Sequence, residues 1–144
     1  MTDESGDRPV IVDASMAITW CISAESTEAT DRMLIAVARS GMIVPAIWWL
    51  EVANALVMAR RRERLGSGDW TRFEEMLSRF KIETEPVEPI RVIADTARLS
   101  QSQRLTVYDA SYLELAIRRN AQLATLDKVL IGAADNAGLP LFNP

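Results

Sequence analysis

Residues 9–13 read PVIVD, an apolar run closed by an acid. A run of this kind predicts a short strand buried on both faces. No GxGxxG follows it and no GxxxxGK[ST] occurs anywhere in the chain, so the glycine-rich turns that cradle a pyrophosphate are missing. The first strand ends in Asp13 instead.

Outward from this strand, strand and helix patterns alternate to the end of the chain. Residues 15–40 are largely helical in pattern, MIVP (42–45) predicts a second strand, and 46–64 a long helix. A helix near 69–80 leads to the strand KIETEPV (81–87). Pro89 is placed to open a helix to about residue 103, and another helix covers 107–119. AQLATL (121–126) reads as a strand, 127–137 as a helix ended by Gly138, and LPLF (139–142) as a fifth strand. Five short strands separated by helices imply right-handed crossovers and a three-layer α/β domain, with a central five-stranded parallel sheet flanked by helices. Residues 1–8 are expected to be a flexible N-terminal tail and 9–144 a single domain.

The 144 residues are 49% apolar, enough for one compact core. No apolar run approaches the ~20 residues that span a bilayer, and the start, MTDESGDRP, is polar and acidic, unlike a secretory signal. A cytoplasmic protein without membrane contact is expected. There is one cysteine, Cys21, and no histidine. An internal disulfide, a Cys/His zinc site, Ser-His-Asp hydrolysis, HExxH metalloproteases and imidazole-based RNA cleavage are excluded together. Catalysis must rest on Asp, Glu, Lys, Tyr or metal. The net charge of −4 counts against a broad basic surface for nucleic acid. That objection weakens if acids cluster around bound dications, whose charge offsets theirs.

Four acids stand out. Asp13 closes the first strand and Asp127 follows the fourth, and ligands of open α/β sheets bind beyond the carboxyl ends of strands where the strand order reverses. Asp13, Asp109 and Asp127 also lie at or near predicted helix starts, where aspartate caps free N–H groups, so each taken alone has an ordinary structural explanation. Glu51 has none. It sits inside a helix whose residues 46–59, AIWWLEVANALVMA, are apolar except for Glu51 and Asn54. Helical phase puts it on one face with Ile47, Asn54 and Met58, leaning toward buried or half-buried surface. A carboxylate there needs a cationic partner, a metal or a raised pKa. Asp109 likewise begins the stripe of Tyr112, Leu113 and Ala116 in 107–119. Three acids at inward or cleft positions would repel one another without a cation. Hard oxygen ligands without His or Cys favour Mg²⁺ or Mn²⁺, and such a site suits phosphodiester hydrolysis.

Read together, VIVDAS (10–15), the acid in PAIWWLEVANAL (45–56), LTVYDASYLELA (105–116) and LATLDK (123–128) resemble, in order and spacing, the PIN-domain ribonucleases, specifically the VapC-type toxins of bacterial toxin–antitoxin pairs. The resemblance covers about 9–142. It implies a magnesium-dependent endoribonuclease, with Mn²⁺ a possible substitute, and Asp13, Glu51, Asp109 and Asp127 as its acidic quartet. Asp13 and Asp109 would be direct metal ligands, and Glu51 and Asp127 would bind a second metal or orient water. Ser15 and Thr125 match hydroxyl positions beside the quartet, with capping and strand packing as the plain alternative. A cognate VapB-type antitoxin that blocks the site, and a toxin homodimer, are implied as well.

Two features keep two explanations each. The helix face carrying Trp48, Trp49, Val52, Leu56 and Ala59 fits either a dimer or antitoxin groove, or core packing beneath the helix of Trp70 and Phe73. The arginines of ARRRER (59–64) fit either RNA phosphates or a solvated C-terminal turn, and Arg118 and Arg119 pose the same choice. Among other functions, a receiver-type phosphoacceptor would want an acidic pair at the first strand. An α/β phosphatase of the haloacid-dehalogenase kind would want an Asp two residues after the first, where this chain has Ser15. A non-catalytic PIN-fold partner-binding module would not need all four acids.

Overall fold

The computed structural model describes residues 8–144. The first seven residues of the expected tail lie outside the described residues. Four strands, β1 (Val10–Val12), β2 (Met42–Pro45), β3 (Ile82–Glu85) and β4 (Gln122–Ala124), form one parallel sheet in the order β3-β2-β1-β4. Every residue of β1, β2 and β4 is buried, so both faces of the sheet are covered, as a parallel sheet requires. β3 is the polar edge strand, and its glutamates carry the charge that discourages pairing with another chain.

The expected fifth strand does not form. LPLF contributes a single isolated bridge between Leu123 and Leu141, supported by Leu123 N donating to the Pro140 carbonyl at 3.2 Å and Phe142 N donating to the Leu123 carbonyl at 2.9 Å. Pro140 has no N–H to continue a ladder, and Pro144 stops it again two residues beyond Phe142. The sheet is therefore four-stranded.

The helices follow from their caps and apolar stripes. The segment 15–40 divides into α1 (Ala14–Thr19), a short 3₁₀ turn (Ser23–Glu25) and α2 (Glu28–Ser40). Thr27 opens α2 with a reciprocal capping box to Thr30. Then come α3 (Ile47–Arg61) and α4 (Asp69–Arg79). α5 (Pro89–Arg91) has Pro at its first turn and runs through a wide π turn (Val92–Thr96) into α6 (Ala97–Gln103), so the helical run expected from 89 to 103 is present. α7 (Val107–Arg119) is capped by Thr106 and α8 (Lys128–Asn136) by Asp127.

The face of α3 settles one open choice. Trp48, Val52, Leu56 and Ala59 are buried within the domain with Phe73 of α4, so core packing explains them. Trp49 is the exception, more exposed, with its indole N–H donating to Thr84 Oγ1 at 2.9 Å.

One glycine is fixed by the close approach of two chain segments. Gly41 joins α2 to β2 with φ +78° and ψ −179°, a region essentially closed to other residues. A Cβ there would lie 2.8 Å from the Lys81 carbonyl oxygen, which is the acceptor of Met42 N in the β2–β3 ladder. Gly41→Ala is expected to lose about 1–3 kcal/mol from backbone strain alone, read as a lower urea midpoint at unchanged slope. A midpoint equal to that of the wild type would show that this junction relaxes freely.

Candidate active site

The strand order places the site. From β1 the chain steps outward to β2 and β3, then recrosses the sheet to lay β4 on the other side of β1. The order thus reverses between β1 and β4, and a crevice opens beyond their carboxyl ends. Asp13 follows β1 there, and Thr125 and Asp127 follow β4.

Asp13 occupies the N-cap position of α1, yet its side chain makes no capping hydrogen bond. It is only 6% exposed, and a buried carboxylate requires donors. Ser15 Oγ and Thr125 Oγ1 each donate to its Oδ2 at 2.7 Å. Those hydroxyls accept in turn, Ser15 Oγ from Leu126 N at 3.3 Å and Thr125 Oγ1 from Asp127 N at 3.0 Å. Together with Asp13 N donating to the Ala124 carbonyl at 2.9 Å, these bonds tie the ends of β1 and β4 together through one carboxylate.

The other acids arrive from three separate elements. Asp127 does cap α8, its Oδ1 accepting from Val129 N at 2.8 Å and Leu130 N at 3.3 Å. Asp109 is not a cap, because Thr106 fills that role, accepting from Asp109 N at 3.1 Å. Its half-buried carboxyl is raised above the ordinary range, first by burial and then by the charges of Asp127 and Asp13, against a lowering contribution from the Thr106 hydroxyl. Glu51, half-buried on α3, is also raised, first by burial. The Tyr112 hydroxyl opposes that shift, and Asp13 and Asp109 add to it.

Tyr112 carries no functional expectation in the sequence beyond its place on the buried stripe of α7. The phenol is fully buried and donates to Glu51 Oε1 at 2.7 Å. Burial and the adjoining glutamate push its pKa far above the ordinary tyrosine value, so it remains a donor. Its spacing of three from Asp109, on the same helical face, was the available signal.

Among the described residues none of the four acids belongs to an ion pair, and the charges that perturb Glu51 and Asp109 are all carboxylates. No three of the described acids stand close enough to form a finished cation cage. What the crevice offers is an uncompensated set of hard oxygen donors without Cys or His, and that donor chemistry fits Mg²⁺ or Mn²⁺.

Four of the arginines singled out by the sequence are engaged elsewhere. Arg60 lies over the Trp70 ring, 5.2 Å from its centroid, and Arg64 pairs with Glu25. Arg118 bonds Glu114 and Glu85, and Arg119 bonds Glu83 and Glu85, so the end of α7 is fastened to the edge strand β3. Cys21 is buried, its thiol pushed up to about 11 by burial and by Asp69, and it behaves as a core residue.

The PIN domain family matches residues 10–136. A VapC ribonuclease of Mycobacterium bovis is 33% identical over 120 residues, covering 82% of this chain and 85% of the relative, and ribonuclease VapC9 of Mycobacterium tuberculosis matches equally. Among solved structures, PAE2754 from Pyrobaculum aerophilum superposes with a TM-score of 0.65 at 23% identity, covering 92% of this chain and 83% of that one. FitAcB from Neisseria gonorrhoeae does so with a TM-score of 0.62 at 18% identity, covering 94% and 97%.

The raised carboxyls predict an inverted pH response. Because Glu51 and Asp109 hold protons more tightly folded than unfolded, their contribution to stability falls as pH rises through their raised pKa values and is recovered on acidification. In EDTA at neutral pH, Glu51→Gln and Asp109→Asn are each expected to melt higher than the wild type, by roughly 2–4 °C for every kcal/mol of repulsion relieved. The gain should shrink as pH falls toward the ordinary carboxylate range. Scanning fluorimetry across pH checks this, and variants that melt lower at neutral pH would contradict it.

Proposed function

The chain belongs to the PIN domain family, and on that premise we propose that it is a VapC-type endoribonuclease, the toxin of a toxin–antitoxin pair, whose Asp13, Glu51, Asp109 and Asp127 hold catalytic Mg²⁺. Mn²⁺ is a possible substitute. What supports this reading is that the switch point of the sheet draws acids from four separate segments toward one crevice, where the charges perturbing Glu51 and Asp109 are carboxylates and, among the described residues, none of the four acids has an ion-pair partner.

PIN-domain ribonucleases depend on divalent metal. A bound cation supplies Lewis-acid stabilisation of the phosphodiester under attack and acidifies the attacking water. The protein's own residues orient the reaction. Asp13 and Asp109 are the proposed direct ligands, Asp13 being fixed by Ser15 and Thr125 with Oδ1 left open. Glu51 and Asp127 each have one oxygen engaged, by the Tyr112 hydroxyl and by the amides of α8, and offer the other to a second ion or to water. RNA is the substrate and a VapB-type antitoxin the proposed partner.

A homodimer is part of the same proposal. Leu50, Val87, Ile90 and Ile93 are exposed, and Ile47, Val87, Val92, Val107 and Tyr108 line one groove nearby. Apolar surface of this kind marks association sites. A cytoplasmic location belongs to the same proposal; no helix among the described residues is long and apolar enough to cross a membrane.

The deciding experiment incubates purified protein with total RNA in Mg²⁺ or Mn²⁺, in EDTA, and with Asp13→Asn or Asp109→Asn. Discrete fragments are expected with metal. Removing several kcal/mol of transition-state stabilisation should slow cleavage by roughly 100-fold or more in either variant. Mg²⁺ should also raise the wild-type melting temperature but not that of Asp13→Asn. Intact RNA and an unmoved melting curve would shift the conclusion to a non-catalytic PIN-fold partner-binding module. In sedimentation, Ile90→Asp combined with Ile93→Asp should convert a wild-type dimer to monomer, and a monomeric wild type would refute the dimer.

A further inference from the structure

Glu51 is in an unfavourable position. Burial raises its pKa and the charges of Asp13 and Asp109 push on it. Glutamate has a flexible stem, and a half-buried carboxylate repelled by two neighbours relieves that repulsion by swinging toward water. Among the described residues one hydrogen bond opposes the swing, from the Tyr112 hydroxyl to Oε1 at 2.7 Å.

Tyr112 is well placed to resist. Its side chain is fully buried, so the ring is immobilised by packing and its hydroxyl is aimed in advance. It sits on α7, which packs against β1, β2 and β4, and it lies one turn beyond Asp109 on the same face. A single helix thus carries one acid of the cluster and the donor that holds another acid from α3. The phenol engages only Oε1, and Oε2 accepts no hydrogen bond among the described residues.

We infer that Tyr112 is a positioning residue for cation binding: its phenol keeps the Glu51 carboxylate in the cluster against the repulsion of Asp13 and Asp109, with Oε1 engaged and Oε2 free for the ion. The inference rests on the reading of the four acids as a cation site. It goes beyond that reading by naming what orders one of them before the ion arrives. Donors behind ligating groups typically account for 10–100-fold in metal affinity.

The test uses Tyr112→Phe, which keeps the ring and deletes the hydroxyl. Mn²⁺ titrated calorimetrically into the intact protein is expected to bind about tenfold or more weakly than to the wild type. The Mn²⁺ concentration for half-maximal RNA cleavage should move by the same factor. Because Tyr112 acts through Glu51, adding Tyr112→Phe to Glu51→Gln should leave Mn²⁺ affinity within about twofold of Glu51→Gln alone, whereas a general loosening of the core would weaken both backgrounds. Equal Mn²⁺ binding by wild type and Tyr112→Phe overturns the inference while leaving the cation site intact. Absence of Mn²⁺ binding by the wild type overturns the cation site and the inference with it.

A second measurement serves if the phenylalanine variant does not fold. The chain has two tyrosines, and Tyr108 is exposed, so 3-fluorotyrosine gives two fluorine resonances that Tyr108→Phe assigns. The Tyr112 resonance should shift on Mg²⁺ addition with the midpoint of a parallel calorimetric Mg²⁺ titration. A resonance that stays still while the ion binds overturns the inference.

Discussion

A carboxylate buried at the end of the first strand is the constraint on which the rest of this structure depends. Asp13 is almost removed from water, and a buried carboxylate persists only where donors replace its hydration. Those donors come from opposite directions: Ser15 from the first turn after β1, and Thr125 from the segment after β4, more than one hundred residues away in sequence. The β1–β4 register, Val10 with Gln122, Ile11 with Leu123 and Val12 with Ala124, is what brings Thr125 beside Asp13. A slip of one residue would turn Thr125 to the other face of the sheet and leave the aspartate one donor short. Sheet register and site chemistry therefore specify each other.

Much of this was legible beforehand because it rests on local signals. PVIVD, MIVP and AQLATL are apolar runs flanked by turns and helices, and they emerge as β1, β2 and β4 within a residue or two of their expected bounds. Pro89 and Asp127 open helices for the reasons their chemistry gives. The miss at LPLF has the opposite origin. Its apolar pattern suits a strand, but a ladder needs successive donors, and Pro140 supplies none. KIETEPV was likewise trimmed to Ile82–Glu85, since Pro86 ends the pairing.

The site divides along a similar line. Glu51 stands out as a candidate from one helix alone, because an acid in an apolar environment has few structural uses. Asp127 illustrates the converse: its capping bonds are real, and they occupy one of its two oxygens, so a structural role leaves the other oxygen open to the proposed chemistry. Tyr112 was not readable, because its significance depends on α3 and α7 being brought side by side, and an aromatic on a buried helical stripe is usually only core. The arginines were ambiguous in sequence for the same reason. Only the fold reveals that Arg118 and Arg119 face the glutamates of β3 and that Arg60 lies over Trp70.

Orientation and charge are settled separately in this crevice. Asp13, Glu51 and Asp127 each give one oxygen to fixed protein donors, and Asp109 sits in the first turn of α7, where the helix N-terminus favours negative charge. Direction is thereby set without neutralisation, for hydroxyls and amides bring no formal charge to the cluster. An arginine or lysine in the crevice would neutralise the acids and stabilise the fold, but it would also fill the place a cation needs. The described ion pairs lie elsewhere, within α2, along β3 and α7 and around the α3–α4 turn. The uncompensated charge of Glu51 and Asp109 is thus a cost in stability carried locally, and the hydroxyls of Ser15, Thr125 and Tyr112 let the fold carry it without the acids turning away.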